Sequence, residues 1–245
     1  MGGHTDTDAA VDHAAGPGGP GRVLHWAAGY DLLVWLLLRG RERAFRDRLA
    51  ALAGLAPGQS VLDVGCGTGS LAIAAKRQVG PTGHVVGVDA SPVMIARAAR
   101  KARRAGLEVT FTTAVVQRLP GPDAQFDRVL NTLMLHHLSG EGRQQCAREM
   151  RRVLKPGGRV LAVDFGKPAA TRRSLIGHLH RHSRLDADRI AALLRDAGLE
   201  VLESGPVGVL GRDYVLAAKA GGPVGRTVRR SDGQTVRRSD GWRRR

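Results

Sequence analysis

Val61-Leu62-Asp63-Val64-Gly65-Cys66-Gly67-Thr68-Gly69-Ser70 is the stretch from which the rest of the chain can be read. Four residues of strand-type character run into glycines at positions 65, 67 and 69, and a helix-forming run, Leu71 to Gln78, follows at once. Strand, glycine turn and helix start in direct succession are the layout of a nucleotide-type cofactor site. Glycine permits positive φ and lets a ligand approach the main chain, and a helix N-terminus presents unpaired N–H groups. Cys66 stands inside the turn, where a small residue is needed, and reads as steric rather than reactive.

Working outward, Ala56-Pro57-Gly58-Gln59 is a turn into this strand, and Arg41–Ala53 ahead of it is amphipathic, with Phe45, Leu49 and Leu52 on one face. Arg22 to Leu38 is helical in pattern and aromatic, carrying His25, Trp26, Tyr30 and Trp35. Residues 1–21 are polar and rich in Gly, Pro, Ala and Asp, the composition of a disordered tail. Downstream, strand His84–Val88 leads to Ser91-Pro92, an N-cap followed by proline at the first helical position, so a helix is expected over Pro92–Arg104. Strand Glu108–Thr112, a less regular segment and strand Phe126–Leu130 come next. A helix over Gly142–Leu154 stops at the turn Lys155-Pro156-Gly157-Gly158, and strand Arg159–Phe165 follows. Helix Ala187–Ala197 and two closing strands, Glu200–Ser204 and Asp213–Ala218, complete the body.

Five β-then-α units predict an α/β fold: a doubly wound, seven-stranded sheet, mostly parallel. The last strand follows its predecessor without a helix and is expected antiparallel, at the edge. The domain plan is a tail over 1–21, N-terminal cap helices over 22–55, the cofactor domain over 56–220 and a disordered basic tail over 221–245. In that tail Thr227-Val228-Arg229-Arg230-Ser231-Asp232-Gly233 recurs as Thr235-Val236-Arg237-Arg238-Ser239-Asp240-Gly241.

The formal charge of +16 is partly local, since the last 25 residues hold eight arginines against two aspartates. A further cluster, Arg97, Arg100, Lys101, Arg103 and Arg104, reads as a solvated helix face. Two cysteines, Cys66 and Cys146, make neither a metal-ligand spacing nor a disulfide framework. Met1 to Gly21 has no apolar core of a signal peptide, and the longest apolar run, Leu32 to Leu38, falls far short of the ~20 residues that span a bilayer. A cytoplasmic protein is the expectation.

Asp89 stands at the end of the second strand, twenty residues after Gly69, where an acid accepts hydrogen bonds from ribose hydroxyls. The order D-x-G-x-G-x-G, then Asp after the second strand, resembles the class I S-adenosylmethionine-dependent methyltransferases. Three further segments are similar to the family's: Leu119-Pro120 with Phe126-Asp127-Arg128-Val129, Met134-Leu135-His136-His137-Leu138, and Arg151-Arg152-Val153-Leu154-Lys155-Pro156-Gly157-Gly158. Trp26 with Tyr30-Asp31 is similar to the ubiquinone/menaquinone-biosynthesis type. The resemblance covers about residues 22 to 219 and implies a Rossmann-like fold with S-adenosyl-L-methionine as cofactor. It places Asp63, Gly65, Cys66, Gly67, Gly69, Asp89, Ala90, Ser91 and Asn131 at that cofactor, with Asp63 orienting its amino acid end. The family's adenine-binding acid is replaced by Val115, followed by Val116, so main-chain groups there are expected to serve adenine.

Methyl transfer from a sulfonium is an in-line displacement that needs alignment, and a base only where the acceptor must lose a proton. Candidate bases are His136, His137, Tyr30 and Asp164. His178, His180 and His182 alternate with no acidic or cysteine partner nearby, so no metal site is assigned. The expected acceptor is a small, apolar or quinone- or lipid-like molecule, because Trp26, Tyr30, Leu33, Val34 and Trp35 gather where a cap lies. Two rivals stand beside it. One is a nucleic-acid methyltransferase, favoured by charge but lacking an N-P-P-[YF] tetrapeptide at Asn131-Thr132-Leu133-Met134. The other is a non-catalytic cofactor-binding protein acting through its basic tail.

Overall fold

The computed structural model describes residues 42–165, 185–208 and 212–221, with 227–229 and 235–237. Strand β1 (Ser60–Val64) pairs in parallel with β2 (His84–Asp89) on one side and β4 (Phe126–Thr132) on the other, so the strand leading into the glycine turn is central. With β3 (Thr110–Thr113), β5 (Leu154–Phe165), β6 (Leu199–Pro206) and β7 (Arg212–Lys219) the order is β3-β2-β1-β4-β5-β7-β6. Only β7 runs against the others, as expected of the last strand. It does not lie at the edge, however. It is inserted between β5 and β6, and β6 forms the edge. Burial explains the exchange: β7 is apolar and buried through Tyr214–Ala217, whereas β6 carries exposed Glu200, Leu202 and Glu203.

The five described helices are α1 (Glu42–Leu52), α2 (Ser70–Val79), α3 (Pro92–Arg104), α4 (Gly140–Val153) and α5 (Ala187–Asp196). The period-two alternation of the strands divides the core between them. Leu62, Val64, Val129, Val160 and Val215 pack with Met150 of α4 and Ile190 of α5. Val61, Leu130, Leu161, Tyr214 and Leu216 pack with Phe45 and Leu49 of α1 and Leu71 and Ala75 of α2. By the same alternation Asp63 shares the face of Val61, and Arg212 that of Tyr214 and Leu216. Both therefore belong to the α1–α2 side.

Helix α3 starts as its sequence demands, with Ser91 Oγ accepting from the Met94 N–H at 3.4 Å and Pro92 at the first position. The less regular segment expected between β3 and β4 is a run of turns over 114–125, where Leu119-Pro120-Gly121-Pro122 cannot form a helix. Arg152 of α4 holds this crossover, donating to Leu119 O (2.9 Å), Gly121 O (3.0 Å) and Asp123 (2.9 Å). The expected turn at Lys155–Gly158 is a bulge inside β5. Leu154 already pairs with Phe126, the register shifts, and pairing resumes at Arg128 and Arg159. Six residues of the tail expected to be disordered form two short strands, β8 (Thr227–Arg229) and β9 (Thr235–Arg237), in which the two repeat copies pair antiparallel through Val228 and Val236. Trp26, Tyr30, Leu33, Val34, Trp35, the His178–His182 segment and the rest of both tails lie outside the described residues. No described helix is long and apolar enough to cross a membrane.

Candidate active site

The sheet changes direction of winding between β1 and β4, and ligands of such sheets bind beyond the carboxyl ends of the strands at that switch point. The glycine turn lies there. Gly65, Gly67 and Gly69 all have positive φ, at 73°, 52° and 73°. A Cβ on Gly65 would stand 2.4 Å from Met134 Cγ, and one on Gly69 would stand 2.7 Å from both Ala98 Cβ and Phe111 Cζ. The turn is thus backed tightly by its own protein. Val88 O accepts from the N–H groups of Gly65 (2.8 Å) and Cys66 (2.9 Å), tying the turn to β2. Asp89 organises it further: Oδ2 accepts from the Gly67 N–H and Oδ1 from the Ser91 N–H, each at 2.9 Å. Each of these oxygens keeps a second lone pair for a ligand hydroxyl.

Asp63 is 2% exposed and lines a pocket with Arg46, Gly65, Thr132, Leu133 and Arg212. Burial pushes its carboxyl up to about 7, against the opposing pull of Arg46 and the Ala72 N–H. Asp63 Oδ2, Asn131 Oδ1 and Thr132 Oγ1 are buried and have no hydrogen-bond partner among the described residues. Buried acceptors are rarely left this way, because desolvation without a bond costs about 1–3 kcal/mol each. Asn131 meanwhile donates from Nδ2 to Val64 O at 2.9 Å. Leu133, the next residue after β4, holds a positive φ of 55°, backbone strain of the kind concentrated at ligand sites.

Just beyond, a 3₁₀ turn over Leu135–His137 brings His136 onto Asp164 at the end of β5. His136 Nδ1 stands 2.8 Å from Asp164 Oδ1, and Asp164 is fully buried. The same carboxylate accepts from the N–H groups of His136 (3.2 Å) and Phe165 (2.8 Å). An acceptor-only carboxylate at Nδ1 requires the proton there and leaves Nε2 with its lone pair. The His136 ring also meets Phe165 edge-on at 5.0 Å. His137 is exposed, its ring 3.9 Å from that of His136.

A profile described as a methyltransferase domain matches residues 61–158. The chain is 31% identical over 206 residues to the ubiquinone/menaquinone biosynthesis C-methyltransferase UbiE of Enterobacter sp. (strain 638), a match covering 72% of this chain and 80% of that protein. The chain belongs to the class I S-adenosylmethionine-dependent methyltransferase family. The protein of the same name from Pseudomonas aeruginosa (strain LESB58) is 38% identical over 146 residues, which cover 59% of this chain and 56% of that protein, so the match spans about half the length of that relative. Among solved structures, a methyltransferase from Aquifex aeolicus superposes with a TM-score of 0.64 at 24% identity, over 77% of this chain and 97% of that one, a likeness of fold. The [4+2]-cyclase SpnF superposes with a TM-score of 0.62 at 26% identity, over 75% and 82%. One methyltransferase fold thus carries more than one chemistry, and the reaction has to be argued from the site.

The residues fit the family's cofactor. Its amino acid end is a zwitterion, and the orphan acceptors of Asp63 and Thr132, which line one pocket, suit an ammonium, with Arg46 beside Asp63 as a cation that could meet the carboxylate; Asn131 projects from the other face of β4 and is not among the residues lining that pocket. Asp89, with a lone pair left on each oxygen, could accept from ribose hydroxyls. Beyond it Val115 is 46% exposed, whereas Val116 is 6% exposed and packs into the core, so of the pair only Val115 presents its side chain. Val115 O accepts from the Arg118 N–H at 3.1 Å. Ser91 spends its hydroxyl on the cap of α3. The Cys66 thiol is buried and pushed far up by burial, then by Asp63 and Asp89, consistent with a filler. Tyr30 lies outside the described residues. Phe45, Arg46, Thr132, Leu133 and Arg212 line the pocket without having been singled out from sequence. Arg46 reads there as the polar side of an amphipathic helix, and the φ of Leu133 has no composition signal. Arg212 stands one residue before the strand expected over Asp213–Ala218, in alternation with Tyr214 and Leu216, the one signal that it faces the core.

Proposed function

We propose that the chain transfers a methyl group from S-adenosylmethionine to a small, ring-type acceptor with an ionisable oxygen, of the quinol class, and that His136 is its general base. The observation that carries this reading is the His136–Asp164 pair, 2.8 Å apart at the strand ends that also hold the cofactor pocket. The names of the relatives, ubiquinone/menaquinone biosynthesis C-methyltransferase, support the acceptor class.

Bound in the pocket, the cofactor supplies an activated methyl group. The chain's own residues do the rest. Asp63 and Thr132 orient one end of the cofactor, and Asp89 the ribose. Asp164, buried and fixed by two main-chain N–H groups, holds the imidazole in the tautomer that leaves Nε2 as acceptor. Nε2 would take the proton of the acceptor's hydroxyl, which drives electron density toward the carbon that is methylated, with Asp164 stabilising the imidazolium; the hydrogen on that carbon then leaves as a proton as the ring regains aromaticity and the oxygen is reprotonated, so one proton is released overall. Positioning and proton removal are what the protein contributes.

The test is incubation of the purified protein with methyl-labelled S-adenosylmethionine and a panel of quinols lacking one ring methyl. Label in the ring of at least one of them is the expected result. Transfer to RNA or DNA and to none of the quinols would move the protein to the nucleic-acid class, and binding of S-adenosylhomocysteine without transfer to any of these would remove the enzymatic reading.

A further inference from the structure

We propose that Arg212 binds an oxyanion of the methyl acceptor, carried on a planar ring, and so selects anionic ring acceptors; this rests on the reading of the pocket as a methyl-transfer site. Arg212 opens β7, opposite Phe165 of β5 in register, at the edge of the sheet where the parallel strands end. Although 5% exposed, it lines the pocket that Asp63 and Leu133 line. Its guanidinium carbon stands 5.4 Å from the Phe45 ring centroid and 5.6 Å from that of Phe165. The second of these rings is the one whose other neighbour is His136, at 5.0 Å. Base and cation therefore rest against the same phenyl ring.

The two arginines of the pocket divide the work by position. Arg46 acts on Asp63 and also borders the groove beside Ser70 and Lys101, which places it on the glycine-turn side. Arg212 is on the Phe165–His136 side. A guanidinium has five N–H donors in a planar fork and can serve a ligand oxyanion while keeping other partners, and rings on its flanks fix the plane of the fork. Charge points the same way. Among the described residues lining the pocket there are two arginines and one carboxylate. The cofactor, with an ammonium, a sulfonium and a carboxylate, adds a net positive charge. An oxyanion entering beside Arg212 meets a guanidinium that can pair with it, which a neutral ring cannot use in the same way. The oxyanion is either the phenolate that His136 generates or a carboxylate carried elsewhere on the ring.

Calorimetry on the complex of full-length protein with S-adenosylhomocysteine separates these sources. The probes are 4-nitrophenolate and benzoate, each against a neutral counterpart, 4-nitroanisole and benzamide. The wild-type complex should bind at least one oxyanion probe at least about tenfold more tightly than its counterpart, the size of one charge-assisted hydrogen bond. Arg212→Met should abolish that preference and leave S-adenosylhomocysteine binding within about twofold, and Arg212→Lys should keep part of it. Preference for 4-nitrophenolate alone assigns the phenolate, and for benzoate alone the carboxylate. No preference in the wild type, or one that survives Arg212→Met, overturns the proposal. Should Arg212→Met fail to fold, Arg212→Lys decides instead: an oxyanion preference undiminished from wild type overturns the proposal. Loss of S-adenosylhomocysteine affinity in step with the probes overturns it too, assigning Arg212 to the cofactor instead. A failed label transfer with the oxyanion preference intact falls on the proposed reaction and not on Arg212.

Discussion

The two edges of the sheet carry equally legible motifs and treat their polar groups in opposite ways. At the amino edge of the parallel strands, Asp127 Oδ2 accepts from the Ser60 N–H and from Lys155 Nζ, both at 2.9 Å, and Lys219 Nζ donates to Leu154 O at 2.7 Å. Arg152 meets Glu149 through two bonds of 2.8 Å and reaches three groups of the β3–β4 crossover. At the carboxyl edge, Asp63, Asn131 and Thr132 each hold a buried acceptor without a partner. Satisfied networks fasten a structure, and unsatisfied ones wait for a ligand. Asp127 and Asp63 look alike as motif residues. Their hydrogen-bond accounts differ: Asp127 is bonded within the protein, and Asp63 keeps a buried oxygen that a ligand could meet, as proposed above.

The largest effect expected from breaking this contrast is on rate. His136→Asn removes the base and should lower methyl transfer by about 10²- to 10⁴-fold. The affinity for S-adenosylhomocysteine, measured by calorimetry, should not change, since His136 is not among the pocket-lining residues. A parallel loss of affinity would show that the turn over Leu135–His137 shapes the cofactor site rather than the chemistry.

Asp63→Asn is expected to separate binding from stability. Affinity for S-adenosylhomocysteine should fall by about 10- to 100-fold, the worth of a hydrogen bond to a charged group. The ligand-free protein should melt no lower than wild type, because a buried carboxylate without a full set of donors is a cost to the fold. The pH dependence follows from the raised carboxyl. In the unfolded chain Asp63 loses its proton near pH 4, and in the folded protein only near 7, so between these values the folded state holds more protons. Its contribution therefore makes ligand-free stability decline as pH rises from about 4 to about 7. The melting shift produced by S-adenosylhomocysteine should be larger above this window than below it, where Asp63 is neutral. A shift independent of pH would remove Asp63 from the ammonium site.

Asp127→Ala is the counterpart at the other edge. Burial alone raises this carboxyl, but the Ser60 N–H and Lys155 outweigh it and hold the group below its usual value. Its stabilising effect is present above the ordinary carboxylate range and is lost on acidification. Half-exposed as it is, it should contribute about 1 kcal/mol, seen in urea unfolding, with binding of S-adenosylhomocysteine unaltered.

What the sequence disclosed follows the same division. Turns, caps and alternation are local, so helix α3 and the glycine turn were legible to within a residue or two. The position of β7 inside the sheet was not, because it depends on the exposed glutamates of β6 and the buried run Tyr214–Ala217 competing for the same place. At the site, Asp63 and Asp89 announce themselves by spacing from glycine. Arg46 and Arg212 come from a helix and a strand far apart in sequence, and only the packing of Phe45 and Phe165 brings their chemistry to one pocket.

Val115 offers the smallest and sharpest test. It stands in the turn after β3, where the Ala114 N–H donates to Asp89 O at 3.0 Å, and its side chain is exposed in a position at which the family carries an acid for the adenine amino group. If Asp89 and the neighbouring main chain locate the nucleoside as proposed, a carboxylate added beyond them needs to supply only one more acceptor. Val115→Asp should therefore raise affinity for S-adenosylhomocysteine by about three- to tenfold, the net worth of one hydrogen bond, at little cost to stability because the site is open to solvent. The analogue with hypoxanthine in place of adenine lacks the amino donor and should gain nothing. Equal gains for both ligands would mean that a charge, and not an acceptor at the adenine edge, had been added, and a loss for both would place adenine away from the turn that follows β3.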